Sequence, residues 1–284
     1  MIIAKCDVSK ICLIFLVVII LSAYYPSQVK AEDDYYHRNF EWEYDGRQWT
    51  WNLSIPKSLY DTYRSVSVSE RVRNGPAGYG FLTTTRDYYL KSLAEKLNET
   101  ATQREYSVYD EVSFVLAFVQ SLPYTSDSVT SGFDEYPRFP LETLVDGGGD
   151  CEDTSILFAT LTLIMNYSTV YINPPKHYAV GVLGKDLPGY YWTYNNKTYY
   201  YCETTGEGFK IGEIPDEYKD AKAYIYDIKE YQQYVPTSWS SDPSIDEFMI
   251  PVGPLIVFFA TATILIVTTR QFLAKKEKEQ VHKK

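Results

Sequence analysis

Cysteine, histidine and positive charge are all scarce in this chain. Of its four cysteines, Cys6 and Cys12 fall in an apolar leader, which leaves Cys151 and Cys202 and at most one disulfide between them. Of its three histidines, His37 follows the leader closely and His282 lies in a basic tail. His177 is therefore the one candidate base inside the folded part. The basic deficit, 27 Lys and Arg against 37 Asp and Glu, sharpens once the ends are set aside. Nine of the basic residues and three of the acidic ones lie in 1–31 and 248–284, so residues 32–247 carry 18 against 34, near −16. So acidic a surface excludes nucleic acid as a partner, because its binders need a basic face.

What is present begins with two stretches that hold no charge, ICLIFLVVIILSA at 11–23 and FMIPVGPLIVFFATATILIVTT at 248–269. Both read as membrane segments. The second is long enough to cross a hydrocarbon layer of about 30 Å at roughly 1.5 Å per residue. The tail after it, RQFLAKKEKEQVHKK, marks the cytoplasmic side. The first follows Lys5 and Lys10 and is trailed by VKA at 29–31, the pattern of a signal-peptide cleavage site, with an uncleaved anchor as the alternative. Either way residues 32–247 are expected outside the cell, at its surface, held by one or two spans. Sequons at Asn52, Asn98, Asn166 and Asn196 agree with export.

The expected organisation is a leader over 1–31, a hairpin and helices over 32–111, a core over 112–215, an edge element and juxtamembrane linker over 216–247, a transmembrane helix over 248–269 and a cytoplasmic tail over 270–284. FEWEYDGRQWTWNLSIP reads as two strands around an Asp45-Gly46 turn, with Trp42, Trp49 or Trp51 available for packing. RDYYLKSLAEKLNETA is an amphipathic helix and VYDEVSFVLAFVQSL a more deeply apolar one, stopped by Pro123. A loop rich in Ser, Thr, Asp and Pro follows from 123 to 140. TVYIN at 169–173, HYAVGVLG at 177–184 and a hairpin from YYWTY to TYYYCETT read as strands.

The stretch DGGGDCEDTSILFAT at 146–160 carries the chemistry. Its continuation is apolar on nearly every side, which predicts a helix buried in the domain. Asp150 is placed to cap the first turn, and Cys151 falls at the N-terminus, where the helix dipole favours a thiolate. The acids beside it oppose that. Strand alternation puts His177 on a face with Ala179 and Gly181, small residues that would let a helix approach closely, and Glu203 on a face with Tyr199 and Tyr201, opposite to Cys202. If Glu203 faces the helix, Cys202 cannot reach Cys151. A disulfide is the structural alternative; a nucleophile, a base and an orienting acid is the catalytic one.

PLETLVDGGGDCED followed by an apolar helix, then HYAVGV, then YYYCETTGEG, resembles the core of the transglutaminase-like cysteine peptidase superfamily, most of all over residues 112–215. It is most similar to archaeal membrane-anchored members and is also similar to bacterial periplasmic cysteine proteinases of this type. The resemblance implies an α+β fold with a transglutaminase/papain-like core, a cysteine-bearing helix packed on an antiparallel sheet, and flanking membrane segments. It implies Cys151 as nucleophile, His177 as base and Glu203 as orienting acid. The family usually has Asp-Pro-Thr where this chain has Glu203-Thr204-Thr205. It suggests Gln120 as an oxyanion donor, against an ordinary polar residue near a helix end. It suggests calcium, though no required cofactor, held by Asp150 and Glu152 with Asp153 as a further oxygen source; first-turn acids matching the helix dipole are the alternative. The activity implied is that of a cell-surface cysteine peptidase or amidase working on protein or peptide at the cell envelope. A transamidase and a noncatalytic cell-envelope module on the same fold stand as alternatives.

Overall fold

The computed structural model describes residues 34–130, 132–133, 135–229, 233–234 and 236. The expected leader, the span at 248–269 and the tail lie outside these residues, as does most of the linker before the span. Among the described residues no helix is long and apolar enough to cross a membrane. Contacts divide the chain into 1–234 and 235–284, and the fold below is that of the first unit.

Strands β1 (Tyr35–Tyr44) and β2 (Arg47–Pro56) pair antiparallel along their whole length, from Tyr35 opposite Pro56 to Tyr44 opposite Arg47. The turn between them is the expected Asp45-Gly46 pair, with φ of 55° and 67°, the left-handed values that a two-residue hairpin needs. Alternation puts Phe40, Trp42 and Tyr44 on the buried face. There Trp42 meets the rings of Phe114 and Phe118, which come from the apolar helix that the sequence predicts.

Helices α1 (Lys57–Arg64) and α2 (Val68–Arg71) follow, then a 3₁₀ segment at Gly75–Phe81, α3 (Tyr88–Gln103), α4 (Val108–Gln120) and the single turn α5 (Asp127–Thr130). The Asp87 carboxylate caps α3 by accepting from the N–H groups of Tyr89 and Leu90. α6 (Pro140–Asp146) starts on a proline, which lacks only an N–H that a first turn would leave unpaired, and ends at Gly147 with φ of 76°. It is fastened by a buried pair in which Arg71 donates twice to Glu142, at 2.6 and 3.0 Å.

α7 (Cys151–Ile164) is the buried helix expected, with Ile156, Leu157, Phe158 and Leu161 fully enclosed. Each such side chain contributes about 1.5–3 kcal/mol on burial. α7 lies against a five-stranded sheet of order β5-β6-β4-β3-β7, every neighbour antiparallel: β3 (Thr169–Asn173), β4 (Ala179–Leu183), β5 (Tyr191–Tyr194), β6 (Lys197–Cys202) and β7 (Tyr224–Asp227). The α+β architecture with a cysteine-bearing helix on an antiparallel sheet is thus present.

Two expectations about faces are corrected. The Thr162 hydroxyl bonds that of Thr169 at 3.1 Å, which fixes α7 on the face shared by Thr169, Tyr171, Val180 and Cys202. Ala179 and Gly181 face the other way, into a second cluster with Val170, Ile172, Tyr199 and Tyr201. Gly181 serves that cluster rather than a helix, since a Cβ there would press on Ile172 and Tyr199. Cys202 therefore shares the face of α7, yet both cysteines are free thiols. His177 also precedes its strand: Pro174 and Pro175 offer no N–H to a ladder, and a turn with His177 N–H on Pro174 O at 3.2 Å comes before pairing starts at Ala179.

Candidate active site

The three glycines before Cys151 have structural reasons. Gly147 ends α6 in the left-handed region. A Cβ at Gly148 would collide with the carbonyl oxygen of Pro123, and one at Gly149 with the Asp153 side chain. This close approach lets Thr125 N–H bond Gly149 O at 2.9 Å and draws the 123–140 loop alongside the start of α7.

Cys151 is the first residue of α7, with Asp150 as its N-cap. The Asp153 carboxylate reaches back to the Asp150 N–H at 3.3 Å. The Cys151 thiol donates to Glu152 Oε2 at 3.2 Å. Burial pushes this thiol up from the ordinary cysteine range, Glu152 and Asp150 push it further, and the backbone N–H of Tyr178 opposes them. That opposition sets the sulfur beside the residue that follows His177 in the chain.

His177 and Glu203 meet as the sequence predicts. His177 Nε2 lies 2.9 Å from Glu203 Oε2. The imidazole stacks flat on Tyr218, with ring centres 4.8 Å apart and planes 3° from parallel. Glu203 follows the last residue of β6 and is 2 % exposed. Its carboxylate also accepts from Tyr201 Oη at 2.9 Å, Thr205 N–H at 3.0 Å and Thr205 Oγ1 at 2.6 Å. Burial alone would raise its pKa; the bond and charge of His177, with the two Thr205 donors, hold it down at about 2. An ionised Glu203 fixes the proton on Nε2 and leaves Nδ1 as the nitrogen that can accept a thiol proton. Among the described hydrogen bonds, the thiol is engaged by Glu152 rather than by His177.

Gln120 is placed differently from the expected oxyanion donor. Its amide donates to Glu203 O at 2.7 Å and Phe209 O at 3.0 Å, and its oxygen accepts from Gly208 N–H at 3.1 Å. Both amide hydrogens are engaged, so the residue clamps the 203–209 loop and has no donor left for a substrate.

The acids flanking Cys151 belong to a larger group. One carboxylate oxygen each from Asp127, Asp150 and Asp153 lie within 4.8 Å of one another, and the same holds for Asp127, Glu135 and Glu152. Arg138 pairs with Asp127 at 2.8 Å, with Asp146 at 3.1 Å and with Asp153. Burial raises Asp150, Glu152 and Asp153 above the carboxylate range, with neighbouring acids adding to the rise in each case. Asp150 is 8 % exposed, and its Oδ1 has no hydrogen-bond partner among the described residues. Asp153, by contrast, already accepts from the backbone and guanidinium of Arg138, which makes it a support for the group. A divalent ion that takes oxygen ligands suits Asp150 and Glu152, with Asp127 and Glu135 within reach. Asp127, Glu135, Arg138 and Tyr218 are site residues that sequence patterning passed over. The one signal for the first three is the acid and Pro content of a loop next to the GGGDC run.

No family model matches the sequence, and no curated protein matches it. Solved structures similar to the chain include the EGTA-treated Legionella pneumophila LapG, at 17% identity and TM-score 0.34 over 49% of this chain and 81% of that one. Calcium-bound LapG from the same organism aligns at 19% and 0.32 over 60% and 83%. A TGase crystal structure aligns at 16% and 0.31 over 64% of this chain and 48% of its own. At scores this low these likenesses carry no argument about chemistry, which is left to the residues themselves.

Proposed function

We propose that the chain is a thiol hydrolase, a cysteine peptidase or amidase, in which Cys151, His177 and Glu203 work as one unit on protein or peptide. The observation that carries this is the His177–Glu203 pair: a buried carboxylate with four donors, kept ionised and aimed at one nitrogen of an imidazole whose chain neighbour, Tyr178, meets the helix-terminal thiol through its backbone N–H. In the proposed reaction His177 Nδ1 takes the thiol proton as sulfur attacks the carbonyl carbon. The imidazolium, stabilised by Glu203, then gives that proton to the leaving amine, and water cleaves the resulting thioester. The N–H of Cys151, at a first helical position with no intrahelical acceptor, is the donor best suited to the oxyanion. Glu203 replaces the usual Asp, and its four donors, from His177, Tyr201 and Thr205, account for how the longer arm is held still.

Asp150 and Glu152, supplemented by Asp127 and Glu135, would hold calcium. A bound cation would supply positive charge next to the thiol and offset the carboxylates that now oppose its ionisation. The charge pattern of the ends supports a surface location with the span at 248–269 as anchor. A noncatalytic module is favoured by one observation, the bond from the thiol to Glu152. Ammonia release from a glutamine-containing peptide, with and without an added amine, tests the assignment. Release that needs Cys151 and is unaffected by amine supports hydrolysis, and incorporation of the amine supports transamidation. No release and no peptide cleavage, with or without calcium, would leave the module.

A further inference from the structure

We infer that the free edge of β1 and the cleft beside it form a docking site for an extended, Lys- or Arg-bearing polypeptide segment, added as a third strand to the hairpin. Among the described residues β1 pairs only with β2, in a two-stranded sheet. A cleft of about 800 Å³ runs along it, walled by the consecutive residues 41–45, floored by α4 and closed by Gly208 to Lys210. Four successive β1 residues, Glu41 to Tyr44, line that wall, with Asp45 of the turn and Gln48 of β2 at its turn end, which identifies the wall as the strand's edge, where outward N–H and C=O groups stand ready for another strand.

The occupant's chemistry follows from the lining. Glu41, Glu43, Asp45 and Glu207 face one cation, Lys210. Lys210 itself lies with its ammonium 5.9 Å from the Tyr44 ring centre, so an aromatic group of this wall already takes a cation on its face. Trp42, 7 % exposed, forms part of the same wall, and its indole N–H, which can only donate, has no acceptor among the described residues. Carboxylates at the rim, beside the backbone N–H and C=O groups of the strand edge, suit an extended segment with basic side chains; the Trp42 N–H is enclosed in the wall. Period-two alternation would bring its Lys or Arg residues over Glu41 and Glu43, which share one face of β1, with Asp45 in the turn beyond them. The cleft floor is also joined to the catalytic side, because Gln120 lines it and bonds Glu203 O.

This inference is independent of whether the thiol is catalytic, since its test reads binding alone. A capped Lys-Val-Lys-Val-Lys peptide is titrated against the full chain by tryptophan fluorescence and calorimetry, beside a Glu-Val-Glu-Val-Glu peptide and a Lys peptide N-methylated at alternate amides. The expected result is saturable binding of the Lys peptide that weakens with salt, is lost on N-methylation and is absent for the Glu peptide. Combining Glu41→Gln, Glu43→Gln and Glu207→Gln should weaken it about tenfold, as expected for three exposed charge contacts. These residues are at the surface or rim, and an unchanged melting temperature would confirm that the variant is folded. Absence of saturable binding, equal binding of the Glu or N-methylated peptide, or undiminished binding by the variant would overturn it.

Discussion

Glu203 and Asp150 are both nearly buried acids of one site, and they differ in what surrounds them. Glu203 has four donors, from His177, Tyr201 and Thr205, and is held ionised at about pKa 2. Asp150 sits among other carboxylates with Oδ1 unpartnered, and its pKa is driven up. Burial acts on both in the same direction. At Glu203 the donors and the imidazole outweigh burial, whereas at Asp150 neighbouring carboxylates add to it; Asp153, hydrogen-bonded yet also raised, shows that neighbouring charge counts beside the donors. One end of the site is therefore complete as it stands, and the other has the chemistry of a cation site.

The sharpest way to break this contrast is at Arg138, the cation that pairs with Asp127, Asp146 and Asp153. Arg138→Met should destabilise the fold by about 3–5 kcal/mol, the cost of leaving buried partners uncompensated. Denaturant unfolding at neutral pH measures it. Glu203→Gln probes the other end. A carboxylate held below its ordinary 4.5 adds stability that is complete above that pH and lost as pH falls toward 2. Wild type should lose stability across that window, and Glu203→Gln should lack this component of the loss, which a pH series of thermal melts would show.

Calcium sharpens the comparison from the acidic side. If Asp150 and Glu152 bind it, an ion at a hundred times its dissociation constant raises stability by about 2.7 kcal/mol. Asp150→Asn should remove that gain, while Glu203→Gln keeps it. An equal calcium response in the Asp150→Asn protein would move the ion elsewhere. The smallest effect concerns the backbone that brings the two ends together. Gly148→Ala should cost about 1–3 kcal/mol, because its Cβ collides with the Pro123 carbonyl. Gly46→Ala, with nothing nearby for a Cβ to meet, should carry only the penalty of its positive φ.

The parts legible in the sequence are those with local causes. Asp45-Gly46 and Asn195-Asn196 specify their turns through residues that tolerate positive φ; the first turns where expected, and the second is one residue shorter than the Asn195-Asn196-Lys197 turn the sequence suggests, since Lys197 opens β6. α7 follows from a stretch apolar on nearly every side, and the meeting of His177 with Glu203 from strand order and the resemblance together. What failed depended on distant partners. The orientation of Gly181 is set by a second cluster behind the sheet that no local pattern announces. Gln120 is an ordinary polar residue at a helix end until a loop nearly ninety residues later closes on it. Arg138 and Asp127 come from the 123–140 stretch, whose sequence has no period, and Tyr218, in the segment read as an edge element and linker, proves to be the platform for the His177 ring.

The central claim is that Cys151 and His177 act together. Acylation by p-nitrophenyl acetate tests it most directly, with calcium present, read as a nitrophenolate burst and as acetyl on the Cys151 peptide by mass spectrometry. The account predicts a stoichiometric burst on Cys151, none on the buried Cys202, none in Cys151→Ala, and acylation slowed at least about a hundredfold in His177→Ala. Acetylation of Cys151 at the same rate with and without His177 would contradict it.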